Sequence, residues 1–406
     1  MESREERKRR LRERLAENID YSTEKSDEEI QELIDEMLTK ESKKAPLGLA
    51  EREQLRRELF YAIRKLDVLQ DLVDDPHITE IMINGPEYIF IEKEGRLRRS
   101  ELRFESREQL QNVIQHIVAD CNRVVNEASP IVDARLQNGA RVNVVLNPVA
   151  LNGPIVTIRR FPDKPILMED LIAYGSITEE VSEWLRKLVQ AKYNIMISGG
   201  TGSGKTTFLN ALSYYIPAEE RIITIEDNAE LQILGLPNLV RMEKRNANVE
   251  GCSEISIRDL IRTSLRMRPD RIIVGEVRGG EAFDMMQCLN TGHDGSMSTG
   301  HANSCEDMLS RLENMILMGM DIPLTAIKQQ IASGVDIIIH LGRLRDKSRK
   351  VLEITEVLRF ENGRITTRPL YQFTENGEDA QGRVLGVLQK RGELSYVEKL
   401  RAAGLQ

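Results

Sequence analysis

The sequence predicts an α/β protein, with a domain on a mostly parallel sheet preceded by a smaller α+β domain and by N-terminal helices. Three observations carry that prediction. Beyond Leu167 short apolar strands alternate with helical stretches, as in a sheet covered by helices on both faces. One of those strands, Asn194–Ser198, runs into Gly199-Gly200-Thr201-Gly202-Ser203-Gly204-Lys205-Thr206, which fits G-x-x-x-x-G-K-[ST] and opens a helix near Lys205. Between residues 76 and 160 the period shifts to that of strands and turns around one helix. The 406 residues, 40% hydrophobic and 30% charged, can build two or three domains with ordinary cores. A net charge of −8 argues against a protein whose main work is coating nucleic-acid phosphates.

Taken in order, residues 1–14 hold seven basic and four acidic side chains, which predicts a frayed helix or solvated arm. Ser26-Asp27-Glu28-Glu29 matches a capping box, and Ile30, Leu33, Ile34, Met37 and Leu38 then repeat at helical spacing. That short amphipathic helix needs a surface to dock on. A second helix is expected from Glu51 to Val73, with Leu55, Leu59, Ala62, Leu66, Leu69 and Val73 on one face and Asp74-Asp75-Pro76 as its stop. Strands follow at Ile78–Ile83, Tyr88–Ile91 and Arg96–Leu102, with turns at Asn84-Gly85-Pro86 and Glu94-Gly95. A helix at Arg107–Cys121 and strands at Ile131–Leu136, Arg141–Leu146 and Ile155–Arg160 complete the α+β domain. The expected division is therefore 1–50, 51–160, a linker at 161–167 beginning Phe161-Pro162-Asp163, and 168–406. In the last part the strands are Asn194–Ser198, Ile222–Ile225, Leu239–Met242, Arg271–Val274 and Gly295–Thr299. Val335–Leu341, Arg349–Leu358 and Ile365–Tyr371 read as a small antiparallel unit before a last helix at Ser395–Ala403.

The glycine-rich loop has a physical purpose. Its glycines let successive backbone N–H groups turn toward a phosphate, and the helix behind it presents its positive end. Gly200, Thr201, Gly202, Ser203, Gly204, Lys205, Thr206 and Thr207 are the expected nucleotide contacts, with Lys205 at the β/γ oxygens and the Thr206 hydroxyl on Mg²⁺. Two apolar strands each deliver an acid at their carboxyl ends: Glu226-Asp227 after Ile222–Ile225, and Gly275-Glu276 after Arg271–Val274. One acid can hold a metal-bound water while the other takes a proton from the attacking water. Gly275 stands where such strands usually carry a metal-binding Asp. The segment Thr291–His301 sets two histidines among glycines and hydroxyl residues, without a third ligand at zinc spacing, so one of them reads as a γ-phosphate sensor, with a plain structural histidine as the alternative.

Cys121, Cys252, Cys288 and Cys305 are far apart and form neither a zinc knuckle nor a disulfide framework, and a reducing cytosol is the default. No stretch approaches the roughly 18 apolar residues of a membrane span. The expectation is a cytoplasmic protein that reaches the inner face of the cell membrane only through partners.

At these residues the sequence resembles the secretion-ATPase superfamily of type II and type IV secretion and pilus motors. The boxes come in the same order: GGTGSGKT (199–206), ITIEDNAELQ (223–232), RIIVGEVRGGEA (271–282) and GHDGSMSTGHAN (292–303). Within that superfamily it is similar to the CpaF-type ATPases of tight-adherence (Flp) pilus assembly; PIVDARLQNGARVN and VTIRRF belong to the likeness. It lacks the tetracysteine insertion of many type II ATPases and the AIRNLIRE-like signature of retraction motors. The resemblance implies a RecA-like P-loop ATPase domain behind the smaller α+β domain and a homo-hexamer using ATP and Mg²⁺. It implies inner-membrane pilus platform proteins as partners and no nucleic acid. Glu226 would then be the general base, Glu276 the metal-side acid and His301 the principal histidine. Arg135, Arg141, Arg159, Arg160, Arg241 and Arg245 are the unranked arginines expected to reach the nucleotide. Two other classes remain open: a RecA-like nucleic-acid motor, disfavoured by 4% aromatics and one Trp, and a non-hydrolytic nucleotide-dependent scaffold, disfavoured by the two acids.

Overall fold

A computed structural model of the chain describes residues 4–19, 25–93, 95–121, 123–160, 164–245 and 253–405. Glu94, Cys252 and the expected linker residues Phe161, Pro162 and Asp163 lie outside the described residues. The chain divides into two compact units, Met1–Asp163 and Lys164–Gln406.

The first unit opens with α1 (Arg4–Asn18), α2 (Asp27–Ser42) and α3 (Leu49–Arg64). The expectation of a solvated arm at the N-terminus is corrected. Leu11 and Leu15, four residues apart on α1, are buried with Ile30, Ile34 and Leu38 of α2 and Leu55 and Leu59 of α3. The basic residues of α1 face carboxylates on later segments: Arg4 and Lys8 meet Glu58, Arg7 meets Glu51, Arg10 meets Glu41 and Arg12 meets Asp67. Local charge counting misses this because the neutralising partners are supplied from far along the chain. The α2 capping box forms as the spacing requires, with the Glu29 amide donating to Ser26 Oγ and the Ser26 amide to Glu29 Oε2.

The single helix expected over 51–73 is also corrected, because the chain breaks after Arg64 into a 3₁₀ turn at Asp67–Leu69 and α4 (Gln70–Asp74). Asp67 takes a positive φ of 53° there, which turns its buried carboxylate toward Arg12 at 2.9 Å and Gln109 Nε2 at 2.7 Å. These tertiary bonds outweigh the apolar face that would continue the helix. Next come β1 (Ile78–Asn84), β2 (Ile89–Lys93), β3 (Arg96–Arg99), α5 (Arg107–Asp120), β4 (Ile131–Arg135), β5 (Arg141–Val145) and β6 (Ile155–Arg159). They form an antiparallel sheet in the order β3-β2-β1-β6-β5-β4. Ile114 and Ile117 of α5 pack with Ile81, Ile83, Val142, Val144, Val156 and Ile158 of the strands.

The second unit contains α6 (Met168–Ala173), α7 (Glu179–Gln190), β7 (Ile195–Gly199), α8 (Lys205–Ser213), β8 (Ile222–Glu226), β9 (Leu239–Glu243), α9 (Ile257–Ser264) and β10 (Arg271–Val277). It continues with α10 (Glu281–Leu289), β11 (Met297–Gly300), α11 (Cys305–Gly319), α12 (Leu324–Gly334), β12 (Ile337–Arg343), β13 (Arg349–Glu361), β14 (Arg364–Glu378), β15 (Val384–Lys390) and α13 (Glu398–Ala402). One nine-stranded sheet runs β15-β14-β13-β12-β7-β11-β10-β8-β9. The C-terminal strands are therefore no separate unit. β12 pairs in parallel with β7 and antiparallel with β13, so β13, β14 and the unanticipated β15 prolong the same sheet. Each face has its own core: Ile195 and Ile197 of β7 pack with Leu185, Leu188 and Leu209, while Met196 between them packs with Met286, Met308 and Leu312 on the other side. Because β7, β11, β10 and β8 are parallel neighbours, their carboxyl ends open on one edge. That edge gathers the four separately spaced sequence boxes.

Candidate nucleotide-binding site

The loop Gly200–Gly204 joins the end of β7 to the start of α8. Gly204, at φ 94°, makes the left-handed turn that launches the helix, a backbone shape side chains resist. Lys205 is buried, and its Nζ donates to the Gly199 and Gly200 carbonyls at 3.1 and 3.0 Å. Thr206 and Thr207 follow in the first turn of α8. Beside them lies a cavity of about 230 Å³ whose walls are Ile166, Leu171, Tyr174, Ser203, Thr207, Phe208, Leu341 and the 347–350 hairpin. Its floor is apolar and its mouth carries Lys347, Arg349 and Lys350, a shape suited to the flat base and sugar of a nucleotide whose phosphates lie in the loop. Arg349 Nε holds the loop itself through the Gly202 carbonyl at 2.8 Å.

The two acids differ sharply. Glu226, at the end of β8, is 3% exposed, and its Oε2 accepts the amides of Glu230 and Leu231, each at 2.7 Å. Its Oε1 is buried with no hydrogen-bond partner among the described residues. Burial pushes its pKa from 4.5 up to about 7, against the opposing pull of the two amides and of Arg241. Gly275 explains itself here. A Cβ at that position would lie 3.0 Å from Glu226 Cγ, so a side chain there would press on the neighbouring acid and shift it by a few tenths of an ångström. The Thr299 hydroxyl fixes this strand end by donating to the Gly275 carbonyl at 2.8 Å.

Glu276 is more open and sits among charges. Its Oε1 is 2.9 Å from His301 Nε2, and its Oε2 is 3.2 Å from Arg278. Arg278 also meets Asp227 at 3.3 Å, and Asp227 pairs in turn with Lys244. On its other side His301 Nδ1 lies 3.4 Å from Lys205 Nζ. An ammonium can only donate, so Nδ1 carries the lone pair and the proton sits on Nε2, facing Glu276. Burial, then Lys205, lowers the His301 pKa and keeps the ring neutral at pH 7. A continuous line of alternating groups thus connects the phosphate-loop lysine to the ends of β10 and β8.

The six expected arginines divide. Arg241 donates to the Leu231 carbonyl at 2.9 Å on the backbone stretch that holds Glu226. Arg245 is tied to the Ser253 carbonyl at 3.3 and 3.2 Å. In the first unit Arg135, Arg141 and Arg159 stand directly opposite one another across β4, β5 and β6, forming one row. Arg160 leaves that row, and its guanidinium bonds the Asp75 carbonyl. Residue-by-residue reading missed Arg278, although it sits two places after Glu276 in a quoted box. It also missed Arg311, which lines a cleft with Gly200, Thr201, His301 and Asn303. Spacing along α11 gives no signal for Arg311; only the fold brings it beside the loop.

A family profile described as "Type II/IV secretion system protein" matches residues 63–386. The chain belongs to that family. A putative conjugal transfer protein of Mycobacterium tuberculosis is 33% identical over 330 residues, 80% of this chain and 93% of that protein. The type IV secretion system protein VirB11 of Brucella suis is 32% identical over 303 residues, 68% of this chain and 84% of that one. The X-ray structure of the Legionella pneumophila ATPase DotB matches in fold with a TM-score of 0.51 at 19% identity, covering 73% of this chain and 80% of that one. This type II/IV secretion family member is thus a nucleotide-binding protein with the expected RecA-like P-loop fold and N-terminal domain. Helices α1 and α2 and nearly all of α3 lie outside the family match.

Proposed function

We propose that the chain is a homo-hexameric motor that hydrolyses ATP to drive tight-adherence (Flp) pilus assembly, acting in the cytoplasm on platform proteins of the inner membrane. The observation that carries the hydrolytic part is Glu226: a buried carboxylate with one bare oxygen and a pKa near 7 is built to take and return a proton at neutral pH. In this reading the Gly200–Gly204 amides cradle the β-phosphate, and Lys205 leaves its two carbonyls for the β/γ oxygens. Glu226 orients the attacking water through Oε1 and accepts its proton. His301, released from Lys205, reports the γ-phosphate to Glu276. A part-exposed Glu276 carboxylate and the Thr206 hydroxyl offer the oxygen donors that a hard cation takes, and these two residues would hold it. Bound Mg²⁺ would draw charge from the phosphate oxygens. No helix among the described residues is long and apolar enough to cross a membrane.

The pilus assignment rests on the CpaF-like boxes and the missing tetracysteine insertion. A second reading, a motor of conjugative type IV secretion, is favoured by the named relatives. Pilus assembly and conjugal transfer in cells lacking the protein separate the two. For the chemistry, Glu226→Gln should still bind ATP, followed with a fluorescent analogue, while hydrolysis falls by about 10²-fold or more. Hydrolysis at the wild-type rate refutes the assignment.

A further inference from the structure

The edge strand of the N-terminal sheet presents a basic surface for which the fold supplies no counter-charge. β3 is the last strand of its sheet, and all four of its residues are exposed. Residues 96–103 carry four arginines and one glutamate in a chain whose net charge is −8. Several arginines of the N-terminal helices find carboxylates, as Arg10 does in Glu41 and Arg12 in Asp67. The side chains of Arg96, Arg98 and Arg103 have no ion-pair or hydrogen-bond partner among the described residues, and Arg99 lies over the Tyr88 ring at 4.7 Å. Glu92, across from Leu97 on β2, is engaged with Thr79.

The backbone geometry adds direction to the charge. The Ser100 amide donates to the Ile89 carbonyl at 2.8 Å, so in the alternating antiparallel pattern Arg98 and Arg96 are the residues bonded to β2. Leu97 and Arg99 then turn their N–H and C=O groups outward. Leu97 is also 61% exposed, an apolar side chain on a free edge. Proteins usually guard such an edge with charge that repels a further strand; here the guard is of one sign and selects for the opposite one.

We propose that β3 is a docking edge for an extended acidic segment of a partner protein, which adds as a further strand with acidic residues opposite Arg96 and Arg98 and an apolar residue against Leu97. The proposal is independent of the nucleotide reading, since no phosphate-site residue takes part.

The test uses the full chain and a labelled ten-residue peptide alternating glutamate and valine, followed by fluorescence anisotropy. The peptide should bind, weaken as salt rises, and lose about tenfold or more in affinity to Arg96→Glu/Arg98→Glu. Leu97→Pro removes an outward N–H without touching the bonds to β2, and should weaken binding comparably while ATP turnover is unchanged. The double arginine variant changes only exposed side chains, so it decides the matter if Leu97→Pro melts early. Binding that Leu97→Pro leaves intact overturns strand addition. Equal binding of a lysine-for-glutamate peptide, or no binding at all, overturns the proposal. Capture by phosphatidylglycerol vesicles without peptide binding overturns it in favour of a membrane surface.

Discussion

Glu226 and Glu41 are both glutamates with less than a twentieth of their surface exposed, yet their surroundings are opposite. Glu41, on α2, is held by Arg10 through two parallel bonds of 2.6 and 3.2 Å, so its charge is answered within the fold. Glu226, at the carboxyl edge of the nine-stranded sheet, is left with a bare buried oxygen and a pKa near 7. The N-terminal bundle uses charge to close a seam, whereas at the sheet edge one carboxylate oxygen finds no hydrogen-bond partner among the described residues. The difference teaches where substitutions should cost stability and where they should cost turnover.

The contrast predicts graded outcomes. Lys205→Ala removes the ammonium that offsets phosphate charge, so ATP turnover should fall by at least about 10²-fold while the melting temperature barely moves. A coupled phosphate-release assay beside thermal unfolding checks both. Gly275→Ala presses a methyl on Glu226 Cγ and displaces the carboxylate by a few tenths of an ångström, so kcat should fall by up to about tenfold. Unimpaired kcat there would show that Glu226 tolerates displacement.

Glu226→Gln should do the reverse to stability. A carboxylate whose folded pKa is raised from 4.5 to about 7 binds its proton more tightly in the folded state, so its ionisation erodes stability as pH rises through that window. The Gln variant escapes this erosion. Denaturant titrations should find it no more stable than wild type at pH 4 and about 3 kcal/mol more stable at pH 8. A gain that is flat with pH would break the comparison. Arg10→Ala is the mirror case with the smallest effect: it uncovers Glu41, but Arg10 is partly exposed and its pair is screened, so about 1 kcal/mol should be lost at neutral pH. Basal ATP turnover of the folded protein should be unaffected.

Much of the site was legible because its chemistry is local. The phosphate loop needs glycines, a lysine and a hydroxyl at fixed spacing, and an acid at the end of an apolar strand is visible as such. Arg278 and Arg311 were not, since what matters is their distance from Glu276 and His301, and that is set by strand order. The N-terminal arm was misread for the same reason: Arg4, Arg7 and Arg10 look solvated until Glu58, Glu51 and Glu41 are folded against them.

By itself the sequence determined the parallel sheet, the α+β domain before it, the capping box at Ser26 and the set of groups that can meet a triphosphate, because periodicity, caps and loop chemistry act between residues close along the chain. Tertiary structure alone decided that Asp67 breaks a helix to meet Arg12 and Gln109, that Gly275 lies close against Glu226 Cγ, and that β13, β14 and β15 extend one sheet. Those outcomes depend on steric and electrostatic contacts between residues tens to hundreds of positions apart, and such contacts exist only once the chain has packed.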